Sequence, residues 1–362
     1  MSGAQPSGPP PSDLPGPPRP DLLGLPMPAL ATLLDELGVG ARHAGRVFGG
    51  LHRRLQPIED IADLGWRHAA RLRAEATVAQ VVVEATHPSS DGTEKLVFRL
   101  ADGARVEGVL IPMKGDRLAL CVSSQVGCAM ACTFCATGTL GLERGLRAGE
   151  IVAQVHAARR RVAEAGRRVT HVVFMGMGEP LHHYEATRDA LRVLRDPHGP
   201  CFKGRHLTVS TVGVVPKMRA FARDFEGRVQ LALSLHAGTD ATRRRIIPLA
   251  ATYDLATLRQ ACLDHPLPGT RALMIEYVVL PGQNDGRAEL EALAEWTRGL
   301  RCLVNLIPFN PFTGAPFRAP DEREVRRVAE RLHALRVPHS VRWPKGGPVA
   351  GACGQLALVT PR

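Results

Sequence analysis

The sequence has few aromatic residues and lacks any long apolar run. Aromatic side chains make up 4% of its 362 residues. The longest apolar stretches, such as Tyr277 to Leu280, fall far short of the roughly 20 residues that a membrane helix needs. The first twenty residues contain eight prolines and no apolar segment of the kind that a signal peptide has. We therefore expect neither a membrane protein nor a secreted one, and we expect a cytoplasmic location.

The sequence also lacks the context in which cysteines form disulfides. Without a secretory signal, its eight cysteines are not expected to build a disulfide framework. Acidic residues are too few to balance the basic ones, with 35 Asp and Glu against 46 Lys and Arg and a net charge of +11. Such a charge favours a polyanionic partner, most often nucleic acid. An arginine-rich composition that merely solvates the surface is the alternative that charge alone leaves open.

The amino-terminal part divides into a proline-rich tail and a helical module. Residues 1–20 are expected to form a disordered tail. Over residues 21–77, apolar positions recur at intervals of three and four, which predicts a small helical domain. The predicted helices cover residues 28–37, 41–55 and 58–74. Arginines on their polar faces suit an RNA-contacting module, although solvated helix faces look much the same.

The remaining chain changes its periodicity twice. Residues 78–115 alternate with a period of two and contain two Asp-Gly turns, which predicts a short antiparallel β extension. Over residues 116–345, apolar strands alternate with charged helices, which predicts an α/β core with a parallel sheet, open or closed into a barrel. Strands are predicted at 119–124, 171–176, 206–211, 229–236, 273–280 and 302–309, with helices such as 147–165, 184–195, 255–263 and 287–298 between them. The active site of such a core lies at the carboxyl ends of its strands.

Three cysteines share one loop directly after the first predicted strand of this core. Cys128, Cys132 and Cys135 have the spacing C-x3-C-x2-C. Structural zinc sites and most four-iron clusters take four protein ligands. Three thiolates leave one position open, which is what a catalytic metal keeps for a substrate. The alternative is a structural zinc site whose fourth ligand lies far away in the sequence.

Polar residues also follow other predicted strands. The segment Gly176-Met-Gly-Glu-Pro180 follows the second strand. Its glycines would let the backbone approach a ligand, and Glu179 could accept a hydrogen bond from a charged amino group. Ser210, the segment Ser234-Leu-His236 and Asn310 lie at the ends of later strands. Each alone would usually be a strand cap, but together with an open metal site they predict a ligand-binding rim.

These motifs resemble the radical S-adenosylmethionine (SAM) superfamily and, more narrowly, the RlmN/Cfr family of RNA methyltransferases. Further segments similar to that family are Leu120–Cys128, Ser210–Pro216, Ile275–Val278, Ile307–Phe312 and Ala352–Leu356. The resemblance covers about residues 21–356. It implies a partial (βα)6 radical-SAM barrel with an N-terminal helical accessory domain and a short antiparallel β extension. A C-terminal segment, residues 346–362, would contain the methyl-accepting cysteine.

The resemblance implies a role for each site residue. Cys128, Cys132 and Cys135 would ligate one 4Fe-4S cluster. The residues that hold SAM would be Gly178, Glu179, Ser210, Ser234, Leu235, His236 and Asn310. Cys353 would be S-methylated by a first SAM, a second SAM would supply the radical, Cys121 would release the product by forming a disulfide, and Glu107 would accept a proton.

The implied activity is methylation of C2 of an adenosine in 23S rRNA, with tRNA as a second substrate. Methylation of C8 in 23S rRNA and a catalytically silent RNA-binding paralogue are the alternatives. The resemblance also implies an electron donor such as flavodoxin or ferredoxin, and we expect a monomer. The segment Trp343–Gly351 departs from the family pattern, which leaves the placement of the Cys353 loop open. Candidate contacts to RNA phosphates are Arg144, Arg147, Lys203, Arg205 and Arg243–Arg245.

Overall fold

The computed structural model describes residues 19–358, so most of the predicted tail and residues 359–362 of the C-terminal segment lie outside it. Ten strands form one sheet in their order along the chain, and two more form a separate hairpin. The strands are β1 (Val81–Pro88), β2 (Glu94–Leu100), β3 (Arg105–Pro112), β4 (Arg117–Cys121), β5 (Gln125–Gly127), β6 (Leu142–Gly145), β7 (Arg168–Phe174), β8 (Leu207–Thr211), β9 (Gln230–Ser234), β10 (Leu273–Val279), β11 (Cys302–Pro308) and β12 (His339–Val341). The hairpin is β5 with β6.

Strands β4 and β7 to β12 pair in parallel, and helices connect them. The helices of the chain are α1 (Met27–Glu36), α2 (Ala44–Phe48), α3 (Trp66–Glu75), α4 (Ala148–Ala163), α5 (Tyr184–Arg195), α6 (Val215–Phe225), α7 (Asp240–Ile246), α8 (Leu255–Leu263), α9 (Arg287–Thr297) and α10 (Glu322–Ala334). The predicted core of six strand–helix units is confirmed, with β12 as a seventh parallel strand. Among the described residues β12 pairs only with β11, so the barrel is partial.

The predicted β extension is also present, and it is continuous with the barrel. Its two turns form where expected, with Gly92 and Gly103 at φ angles of 78° and 87° that favour glycine. Strand β3 pairs antiparallel with β4, and Val109 lies opposite Cys121. The extension is therefore the edge of the same sheet, which places the strand of Glu107 beside the strand of Cys121.

The N-terminal helices differ from the prediction in two places. The first helix forms as expected, but the predicted helix 41–55 is broken into a 3-10 turn, α2 and a π-helical turn over Gly49–Arg53. The prediction of a helix over 58–74 is wrong in its first half, because α3 begins only at Trp66. Asp63 and Gly65 have φ angles of 57° and 81°, which an α-helix does not allow.

Two apolar clusters stabilise the fold. The larger one fills the space between the sheet and its helices, with buried residues such as Leu120, Phe174 and Ile275. The smaller one surrounds the cysteine loop and consists of Cys132, Ala237, Ile246, Ile247, Val278, Leu280 and Phe309. Within residues 19–358 no helix is long and apolar enough to cross a membrane.

Candidate active site

The cysteine loop begins after β5 at the carboxyl end of the parallel sheet. Its first turn is closed by a hydrogen bond from the Cys128 amide to the Gly141 carbonyl at 2.7 Å. Gly127 has a φ of 75°, and a Cβ there would lie 1.9 Å from that same carbonyl oxygen. Only glycine allows this approach, so the Val-Gly-Cys sequence fixes where the loop starts.

Burial controls the chemistry of the three thiols. Desolvation raises the pKa of Cys128 to about 12 and the pKa of Cys132 well above its ordinary value, and the Cys135 thiol raises both further. The thiols are therefore close enough to interact, and burial keeps Cys128 and Cys132 protonated unless a cation displaces their protons. This donor set fits a metal–sulfur cluster, whose positive charge stabilises thiolates.

The zinc alternative requires a tighter set of ligands than a four-iron cluster does. A tetrahedral zinc with Zn–S bonds of about 2.3 Å requires sulfur atoms about 3.8 Å apart. Within the described part of the chain, no three His, Cys, Asp or Glu side chains converge closely enough to hold one ion.

The segment after β7 is tied to the loop region by Gln125. Its side-chain oxygen accepts a hydrogen bond from the Glu179 amide at 2.8 Å. Gly178 has a φ of 100°, and a Cβ there would lie 2.6 Å from the Cβ of Gln125. The second glycine of Gly-Met-Gly-Glu is thus required by a close backbone approach, as its sequence context suggested.

Glu179 is a buried carboxylate that joins two strand ends. Its oxygens accept hydrogen bonds from the amides of Leu181 and Val212, both at 2.9 Å. Burial raises the pKa of Glu179 to about 7 despite these donors. Because the carboxylate is close enough to Cys128 and Cys132 to raise the pKa of both thiols, it faces the cysteine loop.

Ser210 and Ser234 meet at the next two strand ends. Their hydroxyl oxygens lie 3.3 Å apart, so one donates to the other. After Ser234, the amides of Leu235 and His236 both donate to the Glu276 carbonyl of β10. These bonds fix the end of β9 against its neighbour.

His236 is a neutral, buried imidazole. Its Nδ1 accepts a hydrogen bond from the Val278 amide at 3.0 Å, so the ring proton lies on Nε2. Burial lowers the pKa of His236 to about 3. The backbone has a φ of 60°, and the ring packs edge-on against Phe134 with centroids 4.7 Å apart. His236 therefore connects the rim to the cysteine loop.

The C-terminal segment returns to this rim and brings Cys353 with it. Asn310 donates to the Cys353 carbonyl at 3.2 Å, and the amide of Ala136 donates to the Gly354 carbonyl at 2.7 Å. Thr137 donates to the Leu356 carbonyl at 2.5 Å. Cys353 is thus held between the end of β11 and the cysteine loop.

The part of this segment that departs from the family pattern is fastened to the β extension. The amide of Gly346 donates to Asp91 at 2.8 Å, and Lys345 donates to the Pro112 carbonyl at 3.2 Å. Gly346 has a φ of 72° and starts a short 3-10 turn. The unusual Trp343–Gly351 sequence therefore still directs Cys353 toward the barrel mouth.

Cys121 and Cys353 lie within electrostatic reach of each other. Both are free thiols. Burial raises the pKa of Cys121, and the neighbouring Cys353 raises it further. Cys353 itself is solvent-exposed as a residue, yet the protein atoms around its thiol raise its pKa by desolvation. The predicted pair is therefore brought together from distant parts of the sequence.

Glu107 lies on the same side, fully buried on β3. Its amide donates to the Met177 sulfur at 3.3 Å, and its carbonyl accepts from Ser123 at 2.6 Å. Its carboxylate pairs with Lys95 at 2.8 Å. The β extension, the β4 end and the Gly-Met-Gly-Glu segment thus meet at Glu107.

The structure places the predicted RNA contacts in different environments. The prediction for Arg243 is wrong, because its side chain is fully buried and donates to the carbonyls of Leu235, Val212 and Ser234. Arg144 is engaged in ion pairs with Asp102 and Glu150. Lys203 and Arg205 precede β8, so they lie at the amino end of the strand, opposite to the rim. Arg147 remains exposed beside Glu150, and Arg244 and Arg245 are exposed as well.

Sequence reasoning missed two residues near the site, Gln125 and Lys95, and assigned the wrong role to a third, Arg243. Gln125 had a usable signal, because a polar residue so close to a strand end and a cysteine loop suggests a support role. Arg243 was hidden in a run of three arginines. Lys95 gave no signal, since a lysine in a strand is usually exposed.

Comparison with known proteins agrees with this geometry. The model of the Radical SAM superfamily matches residues 122–296. The dual-specificity RNA methyltransferase RlmN of Anaeromyxobacter dehalogenans (strain 2CP-C) is 46% identical over 335 residues, which cover 91% of this chain and 89% of the relative. RlmN 2 of Myxococcus xanthus (strain DK1622) is 41% identical over 329 residues, covering 89% and 86%.

A solved structure extends the similarity to the whole fold. The crystal structure of a radical SAM methyltransferase from Sphaerobacter thermophilus superposes with a TM-score of 0.87 at 41% identity, covering 93% of this chain and 99% of that one. The similarity in fold and in sequence therefore extends across nearly the full length. The chain belongs to the RlmN/Cfr family of radical SAM RNA methyltransferases.

Proposed function

We propose that this protein methylates C2 of an adenosine in 23S rRNA and in tRNA, with Cys353 as the carrier of the methyl carbon. Family membership gives the coarser statement, that the protein is an RNA methyltransferase that uses a 4Fe-4S cluster and SAM. The name dual-specificity in its relatives supports two classes of RNA substrate. The proposal includes two SAM molecules per turnover, a flavodoxin- or ferredoxin-like electron donor, a cytoplasmic location and action as a monomer.

One observation supports this function above the others. Cys353 lies within electrostatic reach of Cys121, and Glu107, two residues before the strand partner of Cys121, accepts a hydrogen bond from the C-terminal segment that contains Cys353. Cluster chemistry alone does not need these three groups. A carbon that is carried on one sulfur, transferred to a base and released by a second sulfur does need them.

The roles of the chain's own residues follow from their chemistry. When bound, the cluster and SAM supply the methyl group, the one-electron cleavage that makes a carbon radical, and an acceptor for the electron that is released at the end. Cys353 holds the methyl carbon as a thioether while that carbon forms its bond to C2. Glu107 takes the proton from C2, whose bonding electrons remain with the ring.

Cys121 completes the transfer. Its thiolate attacks the Cys353 sulfur, so that a sulfur–sulfur bond forms and the sulfur–carbon bond breaks. The electron pair leaves with the carbon, which takes a proton and becomes the methyl group of the base. Because burial raises the pKa of Cys121, its thiol is a weak nucleophile before the adduct forms.

We propose that the rim residues hold SAM. Glu179 offers a buried carboxylate for a positively charged amino group, and Gly178 lets the backbone approach it. Ser210 and Ser234 offer hydroxyls at adjacent strand ends, and Leu235, His236 and Asn310 complete the rim. Cys128, Cys132 and Cys135 would hold the cluster next to it.

We also propose that the N-terminal helical module, residues 21–77, contacts RNA. Trp66 at the start of α3 is 76% exposed, and the Arg67 guanidinium lies 5.4 Å from its ring centroid. An exposed aromatic ring beside a cation suits an unpaired base and its phosphate. The same face of a solvated helix would not require an exposed tryptophan.

Mass spectrometry of the modified RNA tests the function. The reconstituted protein is incubated with SAM, a reductant, and either 23S rRNA or tRNA, and the nucleosides are then separated. We expect 2-methyladenosine from both RNAs. Finding 8-methyladenosine would support the alternative regiochemistry, and finding neither would favour the silent paralogue. The matched controls are Cys353→Ala, which should be inactive, and Cys201→Ala, which removes an exposed thiol and should be active.

A further inference from the structure

A buried ion pair lies behind the proposed proton acceptor. The Lys95 ammonium is 2.8 Å from Oε1 of Glu107, and both side chains are only 1% exposed. Lys95 lies on β2 and Glu107 on β3, where Val97 is opposite Glu107 and Lys95 is opposite Val109. The two side chains are therefore diagonal neighbours on the same face of the extension.

Stability alone does not explain a lysine at this position. Removing an ammonium ion from water costs several kcal/mol, and an apolar pair of similar volume is often as stable as a buried ion pair or more so. Lys95 is itself buried, although it shares its face of β2 with half-buried Val97 and exposed Arg99, and Leu96, Phe98 and Leu100 point to the opposite face. Burial of this ion pair therefore costs free energy, and a role of Lys95 in the chemistry of Glu107 would explain why the pair is present.

Glu107 also reaches the segment that contains the methyl-carrying cysteine. Its second oxygen, Oε2, accepts hydrogen bonds from the amides of Ala357 at 2.9 Å and Leu358 at 3.2 Å. A Cβ at Gly351 would lie 3.7 Å from the Cβ of Lys95, so the same segment also passes over the lysine. The ion pair therefore adjoins the part of the chain that presents Cys353.

A carboxyl group that is buried without a cation keeps its proton at neutral pH. Such a group could not accept a proton from an RNA adduct. An adjacent ammonium favours the ionised form, and an ion pair at one oxygen leaves the other for the incoming proton. The ring of the adduct regains its aromaticity when it loses the proton, so a weakly basic acceptor is sufficient. That acceptor must be ionised and correctly positioned.

We propose that Lys95 is the positioning residue of Glu107. Its ammonium keeps the carboxylate ionised and fixes Oε1, so that Oε2 receives the proton from C2 once the two amide donors move away. The C–H bond breaks, its electron pair stays with the ring, the proton moves to Oε2, and Lys95 keeps its own protons. This inference rests on the proposed function, in which Glu107 is the proton acceptor.

The test uses Lys95→Met, which keeps length and apolar bulk but removes the charge. A single turnover with labelled RNA is quenched at intervals, and the covalent protein–RNA adduct is separated on a denaturing gel. We expect the adduct to form at close to the wild-type rate and to be released at least tenfold more slowly. Lys114→Met, which changes an exposed lysine just beyond β3, is the matched control and should release the adduct normally.

A second readout needs no turnover. Infrared difference spectra of the apo-protein should show a protonated carboxyl band in Lys95→Met that is absent from Lys95→Met/Glu107→Gln. A residue that served packing alone would not create this band. If Lys95→Met releases the adduct at the wild-type rate, or shows no such band, the inference is wrong.

The remaining variants distinguish a failure of the role of Lys95 from a failure of the proposed function, in which Glu107 accepts the proton. Glu107→Gln should retain the adduct, and the double variant, whose pair is neutral on both sides, should be no slower than Glu107→Gln. Normal release by Glu107→Gln would refute Glu107 as the acceptor. Slow release by Glu107→Gln together with normal release by Lys95→Met would refute only the role of Lys95. The same conclusion would follow if the double variant released the adduct more than tenfold more slowly than Glu107→Gln. That last comparison remains decisive if Lys95→Met alone fails to fold.

Discussion

The proposed cofactor rim and the proposed methyl-transfer site are built in different ways. The rim consists of the ends of neighbouring parallel strands, and each of its residues is placed by the strand it follows. The methyl-transfer site combines β3, β4 and the C-terminal segment, which meet only through tertiary contacts. In the proposed function, the rim would hold the cofactor of the radical chemistry, and the additions to the barrel would direct the radical to RNA.

Cysteine substitutions should distinguish the roles of the two regions most clearly. Cys128→Ser is expected to lose the cluster and all activity, because one of only three thiolate ligands is removed. Cys353→Ala is expected to keep the cluster and bind RNA within about twofold, yet to form no methylated RNA. Iron and sulfide content, visible absorbance and RNA binding measure the difference. Activity in Cys353→Ala would remove the distinction, since the methyl carrier would then lie elsewhere.

Substitution of Arg243 tests whether the buried hydrogen bonds of its side chain stabilise the rim. Arg243→Met leaves the carbonyls of Val212, Ser234 and Leu235 without their buried donor, and we expect a loss of about 3 kcal/mol or more in the free energy of unfolding. Arg244→Met, at the exposed neighbouring position, should change it by no more than about 0.5 kcal/mol. Urea unfolding of the two apo-proteins makes the comparison. Equal stability would mean that Arg243 is not a structural part of the rim.

The rim should also show a pH dependence through Glu179. Burial raises the pKa of this group from 4.5 to about 7. Between those values the folded state holds a proton that the unfolded state lacks, so the free energy of unfolding falls as pH rises, by about 3 kcal/mol in total. Glu179→Gln should lack this contribution, so its stability relative to the wild type should increase from pH 5 to pH 8. Urea unfolding of the apo-protein measures this.

The same variant should be impaired in binding SAM. We expect at least about a tenfold loss of affinity, because one charge-assisted hydrogen bond disappears. Glu143→Gln, at an exposed position, is the control and should change neither stability nor affinity. A pH-independent difference between Glu179→Gln and the wild type would show that Glu179 is ionised throughout this range.

The smallest effect is expected at the hydroxyl pair. Ser210→Ala removes one neutral hydrogen bond, worth about 0.5 to 1.5 kcal/mol, so SAM affinity should fall by less than about tenfold. Ser340→Ala removes a comparable bond to Asn305 at the far edge of the sheet and should leave SAM affinity unchanged. Equilibrium dialysis with labelled SAM compares them. Equal losses would mean that Ser210 supports the fold and not the cofactor.

Much of the rim could be predicted from the sequence. Parallel strands that are buried on both faces appear as short apolar runs, and β7 to β11 therefore lie where such runs were found. Residues at their ends, such as Glu179 and Ser234, then share one edge by topology alone. The helix predicted over 58–74 failed because apolar periodicity continues through Asp63 and Gly65, whose backbone angles end any helix.

The methyl-transfer site could not be derived in this way. Nothing local links Lys95 to Glu107, because their contact depends on the register of a hairpin. Nothing in the run of three arginines shows that Arg243 points inward, since only the orientation of α7 decides this. The roles of Cys121, Cys353 and Glu107 came from resemblance to a family, and the structure adds the pairing of β3 with β4 and the hydrogen bonds of Glu107 to the C-terminal segment.

The pairing of β3 with β4 limits how this protein can be recombined with its relatives. A fragment that begins at β4 would lose Glu107 and expose an unpaired sheet edge prone to aggregation. A junction before β1 keeps the edge intact and exchanges only the helices. The smallest transplantable unit for the proposed methyl transfer therefore begins at about residue 78, because a fragment that starts at β4 lacks Glu107. The unit also includes the C-terminal segment, which contains Cys353.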